Sequence, residues 1–289
     1  MTAFINWQPS ADVFTIGSYS VKWYALMWAI GLISAYFIVR RLYRQQGIEQ
    51  EKFDPLFLYC FFGILIGARL GHCIFYEPSR FLTSTNGVIE MLLPIKIMAD
   101  GSWKFHGYAG LASHGGAIGC FIAMLIYARN NKVRFMQVLD NVCIATPFTA
   151  ACIRIGNLMN SEIIGRQTDV AWAFLFHTHE SLVDGQVVPR HPAQLYEALA
   201  YIIIFIIGLC AYYIGRKAEG QSRIAPGKGF QFGLCLALIF TFRFFIEFIK
   251  KEQVDFEKGM LLDMGQLLSI PFIIAGLYYM IRPLMTKKQ

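Results

Sequence analysis

Charge is scarce in this sequence: Asp, Glu, Lys and Arg make up 16% of its 289 residues, whereas 56% are hydrophobic. A soluble domain carries about 25% charged residues, so this chain has too few to coat a water-facing surface. The mean hydropathy of +0.46 points the same way. Cysteine is sparse too. The seven thiols (Cys60, Cys73, Cys120, Cys143, Cys152, Cys210, Cys235) are odd in number and lie in apolar runs, with no CxxC and no metal-ligand spacing. That argues against a disulfide framework and against a metal site, and leaves them as small packed side chains. No GxSxG or HExxH motif is present, which removes the common protease signatures. There is no internal repeat, low-complexity tract or soluble domain, and no cofactor is expected. Residues 1–18 lack a basic stretch ahead of an apolar core, so no cleavable signal peptide is expected either.

What the chain has instead is a series of long apolar runs. Seven segments approach the roughly 20 residues needed to cross a bilayer: 20–39, 54–76, 108–128, 137–155, 194–214, 229–249 and 261–281. The fourth is interrupted by Asp140, Asn141 and Pro147, whose polar groups neighbouring helices must satisfy, because lipid cannot. The expected fold is an all-α polytopic membrane protein of about seven transmembrane helices, forming one integral membrane domain over residues 1–289. Loops 77–107 and 156–193 are long and rich in turn signals, and are expected to form a small outward-facing cap.

Basic residues set the orientation. Arg40, Arg41, Arg44 and Lys52 follow the first run; Arg129, Lys132 and Arg134 follow the third. Arg216, Lys217, Arg223 and Lys228 follow the fifth, and Arg282, Lys287 and Lys288 the seventh. With alternating spans all four groups share one side, while Glu77, Glu90, Asp100, Asp169, Glu180, Asp184, Asp255 and Glu257 fall on the other. The positive-inside rule then expects the N-terminus outside and the C-terminus in the cytoplasm. The net charge of +7 thus reports topology, and no nucleic-acid partner is expected.

Ionisable side chains within such segments mark functional sites by default, since each costs roughly 2.5–3.5 kcal/mol at depth. RIGNLMNSEIIGR places Arg154, Asn157 and Ser161 on one face of a helix, turns the next face polar with Asn160 and Glu162, and offers Gly165 as a helix stop. Arg154 alone also suits an interfacial arginine reaching for water; the whole cluster suits an anion. In FRFFIEFIK, Arg243, Glu247 and Lys250 recur at i, i+4 and i+7, with Glu247 placed to orient Arg243, although a purely structural buried pair fits as well. SHGGAIG brings His114 beside Gly115 and Gly116. The glycines would let backbone approach a ligand, and the histidine would suit proton transfer or a plain loop position. RHPAQLYEA lines up Gln194, Glu197 and Tyr201 as a polar stripe on an apolar helix. KWYALMW puts Tyr24 at the end of the first span, a common site for an interfacial anchor.

These motifs together resemble bacterial prolipoprotein diacylglyceryl transferases. RIGNLMNSEIIG looks like the family signature, and SHGGAIG, RHPAQLYEA and RFFIEF like its remaining elements. The resemblance implies essential roles for Arg154 and Arg243, with His114, Asn157, Glu162 and Gly165 in the functional set and Tyr24 at a matching position. Gly115, Gly116, Asn160 and Glu247 complete the candidate substrate-binding residues. Two positions depart from the pattern: Lys250 stands where many members have a second arginine, and Lys22 where many have a histidine. The activity implied is transfer of a diacylglyceryl group from phosphatidylglycerol to the lipobox cysteine of a preprolipoprotein, in the bacterial cytoplasmic (inner) membrane, with the site toward the outer leaflet. The expected partners are phosphatidylglycerol, the preprolipoprotein and membrane lipids. A transporter or binding protein for an anionic solute or lipid would also need intramembrane arginines, but usually shows repeats or paired broken helices.

Overall fold

Among the described residues six helices are long and apolar enough to cross a membrane, which makes this a multi-pass membrane protein. They are α1 (Trp23–Gln45), α2 (Gln50–Phe75), α6 (Phe135–Met159), α7 (Ala193–Lys217), α8 (Phe230–Ile246, continued as a 3-10 turn to Ile249) and α9 (Met264–Met285). The computed structural model describes residues 4–17, 19–98, 100–107, 110–217, 222–251 and 261–285. Asp255, Glu257, Lys287 and Lys288 lie outside the described residues. The span expected at 108–128 forms α5 (Ser113–Asn130), 18 residues with polar ends, and is not among the six. The first span starts at Trp23 rather than at residue 20, because β2 (Asp12–Ile16) and β3 (Tyr19–Lys22) pair as a hairpin just before it. Contacts divide the chain into two compact units, residues 1–42 with 139–289, and residues 43–138.

In the unit 43–138, glycine spacing decides how α2 and α5 pack. Gly63, Gly67 and Gly71 form a stripe on α2, and Gly115, Gly119 and Ala123 form its counterpart on α5. A Cβ on Gly67 would stand 2.4 Å from the Gly115 carbonyl oxygen, and one on Gly119 would stand 2.1 Å from that of Gly63. Lipid tails are as apolar as leucine, so helix association in a bilayer relies on close backbone approach of this kind. Loop 77–107 folds beside the end of α2 as two short helices, α3 (Pro78–Phe81) and α4 (Thr85–Leu92), followed by an antiparallel hairpin of β4 (Ile95–Ile97) and β5 (Trp103–Phe105). Buried Arg69 of α2 donates to the Glu90 carbonyl at 2.8 Å and lies 4.8 Å from the centre of the Phe81 ring. Glu77 is held below the usual carboxylate range, chiefly by its hydrogen bond from Arg80.

In the other unit α1, α6, α7, α8 and α9 alternate in direction. α6 is continuous through Pro147 and keeps Asp140 and Asn141 fully buried. Asp140 accepts backbone N–H bonds from Gly227, Gly229 and Phe232 at 2.8–2.9 Å, so it caps the start of α8. Gly227 and Gly229 hold positive φ there, which glycine allows without a Cβ penalty. At the opposite end, loop 156–193 forms part of a small mixed sheet. β6 (Phe174–Phe176) lies between β1 (Ile5–Trp7) and β9 (Pro189–Arg190), with a hairpin of β7 (Leu182–Val183) and β8 (Gln186–Val187) beside them in sequence. The fold is thus mostly helical, but the segment expected to be all loop contains strands. Trp7 fixes this sheet to α6 by donating its indole N–H to the Leu158 carbonyl at 2.9 Å.

The glycine contacts make a paired prediction. A Cβ at residue 115 would meet the Gly67 carbonyl oxygen at 2.3 Å, whereas one at residue 116 would meet nothing closer than 3.4 Å. Gly115→Ala should therefore cost about 1–3 kcal/mol by overpacking, and Gly116→Ala should stay near the native value. Thermal unfolding in detergent checks this; equal melting of the two variants would refute the packing account.

Candidate active site

Three of the polar clusters read from the sequence, those around Arg154, Glu197 and Arg243, meet where α6 and α8 end and α7 begins. Arg154, in the last turns of α6, places Nε 3.0 Å from Oε2 of Glu197 on α7. Its Nη1 donates to Oδ1 of Asn157 at 3.1 Å, so the i, i+3 spacing does bring these two side chains together. Glu197 has no exposed surface. A charge so placed requires partners, and it has a second one: Lys250 Nζ lies 3.1 Å from Glu197 Oε1 and 3.2 Å from Glu247 Oε1. Glu247 in turn faces Arg243 Nε at 3.8 Å. The result is a continuous ion chain, Arg154–Glu197–Lys250–Glu247–Arg243. The hydroxyl of Tyr201, one turn beyond Glu197, donates to Glu197 Oε1 at 3.4 Å. Three cations against two carboxylates leave one net positive charge on these five side chains.

A second cluster adjoins Arg154. Asn157 Nδ2 donates to one oxygen of Glu162 at 3.2 Å and Asn160 Nδ2 to the other at 3.1 Å. The buried Gln194 amide donates to the Glu162 backbone carbonyl. Glu162 lies between two left-handed residues, Ser161 (φ 55) and Ile163 (φ 58), a conformation that is costly for a β-branched side chain. The helix therefore ends differently from the sequence expectation. α6 stops at Met159, Ser161 lies beyond it rather than on the Arg154 face, and the left-handed turn is made without Gly165.

Gly165 has another task. Its N–H donates to the His191 carbonyl at 3.0 Å, it forms an antiparallel bridge with Lys250, and a Cβ there would fall 2.5 Å from the His191 oxygen. On either side of it, Arg166 N donates to Ile249 O at 2.8 Å and Lys251 N to Ile164 O at 3.1 Å. The backbone after α6 thus clamps the backbone after α8. His191, whose pKa burial pushes below the ordinary imidazole value, shares a hydrogen bond with Tyr196 at 3.2 Å. Tyr24, in the first turn of α1, lies close to the same region. Gly156, two residues after Arg154, has its Cα so near Tyr24 that a Cβ would stand 3.2 Å from the Tyr24 Cα.

His114, Gly115 and Gly116 lie in the unit 43–138. His114 is the second residue of α5 and is exposed, while Gly115 serves helix packing against α2. Sequence reasoning saw Glu197 only as part of a stripe and set Lys250 aside; the structure makes both central. It also missed Arg69, although a lone arginine within an apolar run is itself a signal. Among the described residues no three His, Cys, Asp or Glu side chains are grouped so as to hold a metal ion.

Comparison with known proteins adds identity to this geometry. The family model for prolipoprotein diacylglyceryl transferase matches residues 11–282. A phosphatidylglycerol–prolipoprotein diacylglyceryl transferase of Bacteroides fragilis is 53% identical over 276 residues, covering 96% of this chain and 94% of that protein. One from Porphyromonas gingivalis is 38% identical over 291 residues, covering 98% and 95%. One from Tolumonas auensis is 36% identical over 276 residues, covering 95% and 96%. With nearly the whole chain matched, and its most polar side chains gathered at the ends of three membrane-length helices, it belongs to the prolipoprotein diacylglyceryl transferase family.

Proposed function

We propose that this transferase moves the diacylglyceryl group of phosphatidylglycerol onto the lipobox cysteine thiol of an incoming preprolipoprotein. A carbon–sulfur bond forms, the glycerol carbon–oxygen bond to phosphate breaks, and glycerol-1-phosphate leaves with the bonding pair. The observation that carries this reading is the ion chain: two arginines from different helices, tied through two carboxylates and a lysine, with one positive charge in excess. A phosphodiester brings the one negative charge that balances it.

Negative charge grows on phosphate as the carbon–oxygen bond breaks, so fixed cations stabilise the transition state more than the ground state. Arg154 and Arg243 take that role. Asn157, Asn160, Glu162 and Tyr24 hold the headgroup and glycerol, Glu247 orients Arg243, and Gly165 fixes the backbone on which they depend. The attacking sulfur comes from the protein substrate. A free thiol, with a pKa of about 8.5, is only a few per cent thiolate at neutral pH, and His114 accepts its proton. The residue motif and the exposed place of this histidine at a helix start support that assignment.

Orientation follows from charge. Arg40, Arg41, Arg216, Lys217, Arg223 and Arg282 lie in the opposite halves of their helices, or beyond them, from the ion chain. The positive-inside rule puts that end in the cytoplasm, the N-terminus outside and the active site toward the outer leaflet of the cytoplasmic membrane. There phosphatidylglycerol enters sideways from the surrounding membrane lipids, and the polar product leaves to water.

Three measurements test these assignments. With radiolabelled phosphatidylglycerol and a lipobox peptide, Arg154→Ala and Arg243→Ala should each lower the rate of thioether formation by about 10²–10³ or more, as loss of one preorganised donor does; near-native turnover in both would rule out the clamp. His114→Gln should change the shape of the rate–pH profile, and an unchanged profile would remove its role as base. Cysteine-scanning with a membrane-impermeant reagent should find positions 114 and 154 open from outside, so labelling only from the cytoplasmic face would reverse the orientation.

A further inference from the structure

The proposed clamp has an internal conflict: each arginine already faces a carboxylate, and a guanidinium closed on a carboxylate in a two-bond fork has fewer donors for a phosphate. We infer that Lys250 resolves this as a positioning residue, the shared counter-ion of Glu197 and Glu247 that keeps Arg154 and Arg243 open to the lipid phosphate without itself touching the lipid. The inference rests on the function proposed above.

Three observations carry it. Lys250 is only 3% exposed, although lysine is normally among the most exposed residue types. Its Nζ is shared between the two carboxylates, at 3.1 and 3.2 Å. Its backbone is fixed as well: the N–H bonds back to Ile246 and Glu247, the carbonyl accepts from Arg166 Nε at 3.0 Å, and the residue bridges to Gly165. An ammonium on so constrained a backbone, surrounded by two carboxylates, is positioned for them rather than for an incoming lipid. Charge accounting agrees. Without Lys250 the remaining two arginines and two carboxylates are neutral together, and a monoanionic phosphodiester would meet no excess positive charge. Of its two cationic partners Glu197 would keep Arg154, beside the Tyr201 hydroxyl 3.4 Å from Oε1, and would draw that guanidinium inward. A lysine suits this place because a compact ammonium on a flexible stem donates in several directions, here to two carboxylates at once.

The test uses full-length enzyme in mixed micelles of detergent and phosphatidylglycerol, with a lipobox peptide as acceptor and melting followed in parallel. In Lys250→Met, KM for phosphatidylglycerol should rise about tenfold or more while kcat changes less. Adding Glu247→Gln removes one carboxylate and restores the excess charge, and should lower KM by about threefold or more relative to the single variant, short of full recovery because the Glu247 contact to Arg243 is lost. Near-wild-type KM in Lys250→Met overturns the inference. So does a folded double variant as impaired as the single one, because the lysine would then contact the lipid or serve the fold alone. Should the methionine variants not fold, Lys250→Arg decides: retained lipid KM supports a counter-ion, and a tenfold loss in an enzyme that melts like wild type overturns it. Absence of thioether product from wild type would sink the functional reading instead, a result separate from all of these.

Discussion

A carboxylate shut off from solvent must be neutralised by its neighbours, and Glu197 is the group around which the active end of this molecule is arranged. Its two oxygens take partners from different elements, Arg154 of α6 and Lys250 after α8. Removing one member of a buried pair leaves an uncompensated charge and typically costs about 3–5 kcal/mol. The relative placement of three helix ends is therefore an electrostatic requirement as much as a packing one. The backbone enforces the same arrangement: residues 164–166 run antiparallel to 249–251, so the loop leaving α6 and the segment leaving α8 cannot drift apart without breaking hydrogen bonds. Gly165 is needed in that clamp for its lack of a side chain, which makes it part of the site's scaffold.

The rest of the fold works by allowing close approach. Association of helices in lipid gains little from burying apolar surface, so van der Waals contact between backbones and satisfied polar groups must supply it. Gly233 and Ala237 meet Gly276 where α8 and α9 cross, Thr149 donates to the Gly31 carbonyl where α6 passes α1, and Gly156 admits Tyr24. The last contact shows how packing serves chemistry: a side chain at residue 156 would push α1 away from the α6 turns that carry Arg154 and Asn157. At the far end Asp140 uses its buried carboxylate on three backbone N–H groups. One acidic residue thus stabilises a helix start, and another assembles the ion chain.

Much of this could be read from the sequence, and the division is physical. Apolar length is a local property, so the six membrane-length helices fell close to the expected segments, and Pro147 did not break α6. The stripe Gln194, Glu197 and Tyr201 was legible because helical spacing alone puts those residues on one face, and all three are buried. The partners were not legible, since nothing within the RHPAQLYEA segment indicates that Glu197 meets Arg154 or Lys250. Lys250 in particular stood out only as a departure from a common arginine, at i+7 from Arg243, and is almost fully buried. Gly115 looked like a residue for ligand approach; its role as a packing surface depends on the matching stripe Gly63, Gly67 and Gly71, which the GxxxG spacing could have revealed. The strands at the cap escaped because β1 pairs with β6, a partner far along the chain.

Glu162 shows how a negative side chain can stand close to an arginine without closing on it. Its oxygens are taken up by the amides of Asn157 and Asn160, and its position is fixed by left-handed residues on both sides, each a conformation that costs on the order of 1–3 kcal/mol. Amide donors satisfy a carboxylate without consuming a guanidinium. Glu197 and Glu247 are managed differently, by sharing a lysine. Under the function proposed above, both arrangements leave positive potential for the anion. Should the turn at 161–163 relax, Glu162 would be freed to close on Arg154 and offset its charge, so the left-handed turn is what keeps the two ions bridged by Asn157 rather than paired.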